Sequence, residues 1–119
     1  MQAAPKDAVQ AAARFAWLDF LTTHQVSTKA ILEQIRAVTT PACYQDIASS
    51  FRPPHDPQTW VDVRVYPVHH NADGSWWVST TPQAKDAKGH LQSIGFFDLV
   101  TKEGSQWKVQ RVSFDPPSF

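Results

Sequence analysis

One cysteine in 119 residues, Cys43, leaves nothing to form an internal disulfide or a cysteine-built zinc knuckle, and a lone thiol is compatible with either redox compartment. Glycine is almost as scarce. With four of them there is little scope for a phosphate-cradling loop, and no Gly-rich phosphate loop, Gly-x-Ser-x-Gly elbow or dinucleotide fingerprint occurs, so no cofactor is expected. Net charge is missing too. Eleven Lys and Arg balance eleven Asp and Glu, which removes the positive field that would hold a polyphosphate, and nucleic acid is not an expected partner. No stretch approaches the ~20 apolar residues that span a bilayer, and the opening Met-Gln-Ala-Ala-Pro-Lys-Asp lacks the apolar centre of a signal peptide. Gln2 to Lys6 reads like the polar tail of a linker. A membrane is therefore expected as a partner only through a segment outside this chain, and the cell envelope is the expected location where such an anchor precedes residue 1.

Metal-binding spacing is also absent. None of the five histidines, His24, His55, His69, His70 and His90, makes the i, i+4 helical pair or the i, i+2 strand pair that brings two imidazoles to one ion. No metal is expected. What the sequence does contain is an ordinary core: 42% hydrophobic and 12% aromatic residues are enough for a chain of this length to fold as one domain over residues 1–119, with 1–6 and 115–119 flexible at its ends.

The helical signals come first. Asp7 is an N-cap candidate for an Ala- and Leu-rich run to about Thr22 that no Gly or Pro interrupts. At about 100° per residue, Asp7, Gln10 and Arg14 form one polar stripe, and Ala8, Ala12, Phe15, Ala16 and Phe20 spread over the opposite side. Trp17 breaks the pattern in the polar stripe, and Asp19 breaks it on the apolar side. A second, amphipathic helix follows the Ser27 cap to Val38, with Ile31, Leu32, Ile35 and Val38 at helical spacing. Thr40-Pro41 opens a third, because a hydroxyl cap followed by Pro suits the orphan amides of a first turn. Arg52 to Pro57, with three prolines, can only be a loop.

Strand signals occupy the rest. Val61, Val63 and Val65 alternate with Trp60, Asp62, Arg64 and Tyr66, and Asn71 to Gly74 reads as a hairpin turn into a strand from Trp76 to Thr81. Lys85 to Gly89 is a polar turn into a longer strand from Leu91 to Thr101, and Lys102 to Ser105 leads to the last strand, Gln106 to Phe114. In that strand Trp107 and Val109 fall on one face while Val112 and Phe114 fall on the other. The slip predicts a bulge near Gln110. The expected fold is α+β, three N-terminal helices packed on a curved antiparallel meander of about four strands.

That order, closed by Gly95-Phe-Phe-Asp-Leu-Val and Gln106-Trp-Lys-Val-Gln-Arg-Val across a Lys-Glu-Gly-Ser turn, resembles the cone-shaped domains of the nuclear-transport-factor-2-like superfamily over nearly the whole chain. The Ala-rich first helix and the Val-Thr-Thr-Pro at residues 38–41 look most like extracytoplasmic domains of conjugation or type IV secretion assembly proteins. The resemblance implies a non-enzymatic protein-binding or assembly domain of a bacterial envelope complex. Its contact residues would be the aromatics Trp17, Trp60, Tyr66 and Trp77, meeting a protein partner or a second copy of the chain.

A different class of function attaches to the carboxylates. Asp19 on an apolar helix side needs a hydrogen bond, a partner or a proton to offset desolvation, and Asp98 shares a strand face with Ile94, Phe96 and Val100. Enzymes of the superfamily keep their acid and base in the cone interior, which makes the alternative a small lyase or isomerase, or a hydrophobic-ligand-binding protein, using Asp19 with Asp98 or His69. His69 joins the interior only if no bulge intervenes at Pro67. The two readings differ in what fills the cone. An assembly domain implies an interior packed by Phe15, Phe20, Phe96 and Phe97, whereas a ligand site implies an open apolar pocket with Asp19 at its wall and a carboxyl that holds its proton.

Overall fold

The computed structural model describes residues 5–24, 29–49 and 58–118, with the side chains of residues 22–24 outside that description. Helices α1 (Lys6–His24), α2 (Lys29–Val38) and α3 (Pro41–Ser49) precede strands β1 (Thr59–His70), β2 (Trp76–Lys85), β3 (Leu91–Ser93), β4 (Phe96–Glu103) and β5 (Gln106–Ser113). All strand pairs are antiparallel, in the order β1-β2-β4-β5 with β3 also paired to β2. This is the expected α+β arrangement of helices on a curved sheet. The expected loop from Arg52 to Pro57, with His55, the Ser27 cap and the His24 side chain, lies outside the described residues.

The first helix holds the fold together because its buried side is built of small residues. Ala8 and Ala12 are fully buried and Ala11 nearly so, which brings the α1 backbone close to the sheet, while Gln10 and Arg14 stay exposed. Phe15 and Leu18 extend that contact, and Trp76, Val78, Val100 and Val109 meet it from the strands. From α2, Ile35 completes the same core, flanked by Ile31 and Val38. Fully burying side chains of this size contributes roughly 1.5–3 kcal/mol each.

The link between α2 and α3 is fixed to the sheet through the backbone. Thr39 bridges Val109, and the Thr40 amide donates to the Val109 carbonyl at 2.9 Å. The Thr39 hydroxyl donates back to the Ile35 carbonyl at 2.8 Å, and the Thr40 hydroxyl accepts from the Cys43 amide at 3.4 Å, so Thr40 and Pro41 open α3 as their chemistry predicts. The outer edge of β5 is thereby partly covered, where it would otherwise leave unpaired backbone groups.

Three register shifts bend the sheet. One lies between Leu99 and Val100 against Arg111 and Val109, so Gln110 is the extra residue, where the sequence predicts a bulge. The other two lie in β1, between Trp60 and Asp62 and between Pro67 and His69. Both change the alternation read from the sequence. With Val61 as the extra residue, Trp60 pairs Ala84 and turns inward, its ring 5.1 Å from Phe20 in an edge-on contact. With Val68 as the extra residue, His69 pairs Trp77 on the outer face and leaves the register of Val63 and Val65, while His70, still exposed, pairs Trp76 and stacks on it at 4.3 Å.

Two boundaries also differ. The strand beginning at Trp76 runs on through Pro82 to Lys85, and the single strand expected from Leu91 to Thr101 is two, β3 and β4, interrupted at Ile94 and Gly95. Both pieces keep one register on β2, and the interruption falls opposite Thr81 and Pro82. Proline has no amide hydrogen to give to a ladder, which accounts for a gap there and for five strands in place of four.

The close approach of α1 is testable. Ala12→Leu should lower stability by about 1–3 kcal/mol through overpacking, measured by chemical denaturation, whereas Gln10→Leu on the exposed side of the same helix should leave the midpoint nearly unchanged.

Candidate functional site

Along the inner face of β2 the side chains read Trp76, Val78, Thr80, Pro82 and Ala84, an unbroken fall in size from one end of the strand to the other. At the large end, Trp76 and Val78 meet the alanines of α1 and the core is closed. At the small end no described residue fills the space. A cavity of about 290 Å³ opens there, walled by Phe15, Ala16, Asp19 and Phe20 of α1 and by Thr80, Pro82 and Ala84 of β2. Ile94, Phe96 and Asp98 close it from the β3–β4 side, and Val112 and Phe114 from the end of the chain. The volume is at the small end of ligand pockets.

Asp98 is the chemically distinctive group. Its place on β4, between Phe96 and Val100 and opposite Val78 and Val112, directs it to the inner face, where it is 1% exposed. Neither carboxyl oxygen has a hydrogen-bond partner among the described residues. Burial pushes its pKa well above the ordinary aspartate range, and the neighbouring Asp19 raises it further. The shift favours the carboxylic acid over the carboxylate, and the acid can donate a hydrogen bond that a carboxylate cannot. Asp19, half-buried on the α1 wall of the same cavity, makes its own further interaction.

Cys43, on the first turn of α3, is part of the core rather than of the cavity. The dipole of the α3 N-terminus would lower its pKa, but burial dominates, and with Asp98, Asp46 and Asp19 it pushes the thiol up to about 11. The side chain stays a neutral thiol.

The structure brings Asp19 and Asp98 together and separates them from His69, which faces away from the cavity. Of the four aromatic candidates, Tyr66 is 62% exposed and Trp17 38%, whereas Trp77 is buried and Trp60 is drawn against Phe20. Phe15, Phe20 and Phe96 line the cavity without filling it, and Phe97, one residue out of phase, lies on the opposite face of β4. Sequence reasoning placed Ile94 on the face of Asp98 but did not single out Thr80, Pro82, Ala84 or Phe114. The signal for the first three was present, as every second residue after Trp76 becoming smaller. Phe114 reaches the cavity because the bulge at Gln110 brings the second half of β5 onto the inner face.

Compared with protein-family models, curated proteins and solved structures, the chain finds no match. The site must be read from its own chemistry.

A carboxyl without hydrogen-bond partners among the described residues, in an apolar wall, destabilises the fold, and the sign of its pH dependence follows from its raised pKa. The contribution of Asp98 is most favourable below the ordinary aspartate pKa of about 3.9, and it is lost as pH rises from there towards the folded-state pKa, because ionisation is easier in the unfolded chain. Asp98→Asn should remove that component from a stability–pH curve measured by urea unfolding. Asp98→Val, which replaces the unpaired group by an apolar one, should raise stability at pH 7 by about 1–3 kcal/mol.

Proposed function

We propose that this chain is a small-molecule-binding domain, which takes a compact, largely apolar ligand into the cavity between α1 and the sheet and holds its polar group at Asp98 and Asp19. The observation that carries this reading is a buried carboxyl without hydrogen-bond partners among the described residues, lining an open apolar cavity. A side chain that lowers stability is retained where it does something else. Aromatic and aliphatic walls supply the affinity of such a site, and one or two fixed polar groups supply the orientation.

The same pair suits acid–base chemistry of the lyase or isomerase kind. A protonated Asp98 is a general acid held away from water, with a second carboxyl nearby, and separated roles for two carboxyls are what proton transfer needs. The resemblance to the nuclear-transport-factor-2-like superfamily, whose enzymes place acid and base in this interior, agrees with it. Binding is the primary claim and does not depend on turnover.

A second reading, attachment to a protein partner or a second copy, draws on β1. It is an edge strand of the sheet, and Val61, Tyr66 and Val68 are exposed along it. Such an edge can pair with another chain, although the two bulges and Pro67 in β1 work against continuous pairing.

A fragment screen followed on backbone amides by NMR separates these readings. Small apolar molecules with one polar group should shift Thr80, Ala84, Asp98 and Val112, and Ala84→Phe, which fills the small end of β2, should abolish those shifts. Hits that cluster on Tyr66 and Val68, with no response inside the cavity, would sink the small-molecule reading in favour of the edge strand.

A further inference from the structure

The charge of the ligand can be read from what the cavity lacks. Among its described lining residues there is no Lys, Arg or His, and the ionisable groups are two carboxyls, Asp19 and Asp98. Four phenylalanines of the cavity, Phe15, Phe20, Phe96 and Phe114, supply aromatic rings, and a ring face turned to a cation attracts it. Gln58, Thr80, Gln92 and Ser93 bring hydrogen-bond donors to the lining, but a carboxylate entering this space meets no counter-charge among the described residues and two carboxyls, so the site is poorly suited to a fatty acid or other small organic anion.

Resting on the small-molecule reading above, we infer that the cavity selects amines: a protonated amino group on a compact apolar or aromatic body, with the ammonium held at Asp98. The other groups facing Asp98 are Asp19 from α1 and the neutral thiol of Cys43 from α3, while β2 and β5 present Val78 and Val112 to it. None of them opposes a cation. An ammonium donates to the oxygens that have no hydrogen-bond partner among the described residues, and it favours the ionised form of Asp98, so the acid proton leaves to solvent as the ion pair forms. In balance, R–NH3+ and the Asp98 carboxylic acid give the R–NH3+·carboxylate complex and one proton released. A neutral alcohol keeps the acid protonated and accepts one uncharged hydrogen bond from it, which is roughly half as strong as the charge-assisted bond.

Three probes of one shape decide the matter: 2-phenylethylamine, 2-phenylethanol and 3-phenylpropanoic acid, titrated into the whole chain by calorimetry at pH 7. The amine should bind about tenfold more tightly than the alcohol, and the acid should not bind measurably. Repeating the amine titration in buffers of different ionisation enthalpy should show proton release, and amine affinity should rise with pH up to the pKa of Asp98 while alcohol affinity does not. Asp98→Asn should bring amine and alcohol to parity without losing the alcohol. If the alcohol or the acid binds as tightly as the amine in the wild-type chain, or if no proton is released, the cation inference is overturned and the ligand cavity stands. Silence from all three probes together with an empty fragment screen overturns both.

Discussion

The packing of α1 on the inner face of the sheet sets the core and the cavity by one constraint, the size of side chains along two facing elements. On the helix, Ala8, Ala11 and Ala12 allow close contact at one end, and Phe15 and Phe20 hold the surfaces apart at the other. On β2, the series from Trp76 to Ala84 runs in the complementary sense only at its large end, where bulky strand residues meet small helical ones. At its small end neither partner has the volume to reach across, so a helix of ordinary length on a bent sheet must leave a space there. The polar groups of the site inherit their position from this. Asp19 sits one turn beyond Phe15, and Asp98 sits on the strand that pairs β2 at the point where the core gives way to the cavity.

Bulges do the remaining positioning. Each adds one residue to one strand and reverses which side chains face inward from there on. The shift at Gln110 puts Val109 in the core and Val112 at the cavity on the same face. The pair in β1 puts Trp60 in register with the inner face and His69 with the outer one, so the aromatic residues that read as a surface patch are divided between the fold and solvent.

Much of this was legible in the residues. Helix limits, the Thr40-Pro41 opening of α3, the three turns and the Gln110 bulge all follow from local chemistry, and Asp19 and Asp98 were visible as carboxyls in apolar registers. The bulge at Val61 was not legible, because valines at 61, 63 and 65 fit a regular strand as well as a kinked one, whereas Pro67 marked an edge position or a bulge and the second shift falls beside it. Nor was the split between β3 and β4, which depends on which strand Pro82 happens to lie beside. Local pattern fixes which way a side chain points only until the first irregularity, and three irregularities separate the ends of this sheet.

The downward series on β2 has a consequence for how such a protein can diversify. Trp76 and Val78 belong to the closed core with Ala8, Ala11 and Ala12, whereas Thr80, Pro82 and Ala84 line the open space. The shape of what the chain accepts and the strength with which it folds are therefore written on different halves of a single ten-residue strand. Selection can rewrite one half while the other is held constant.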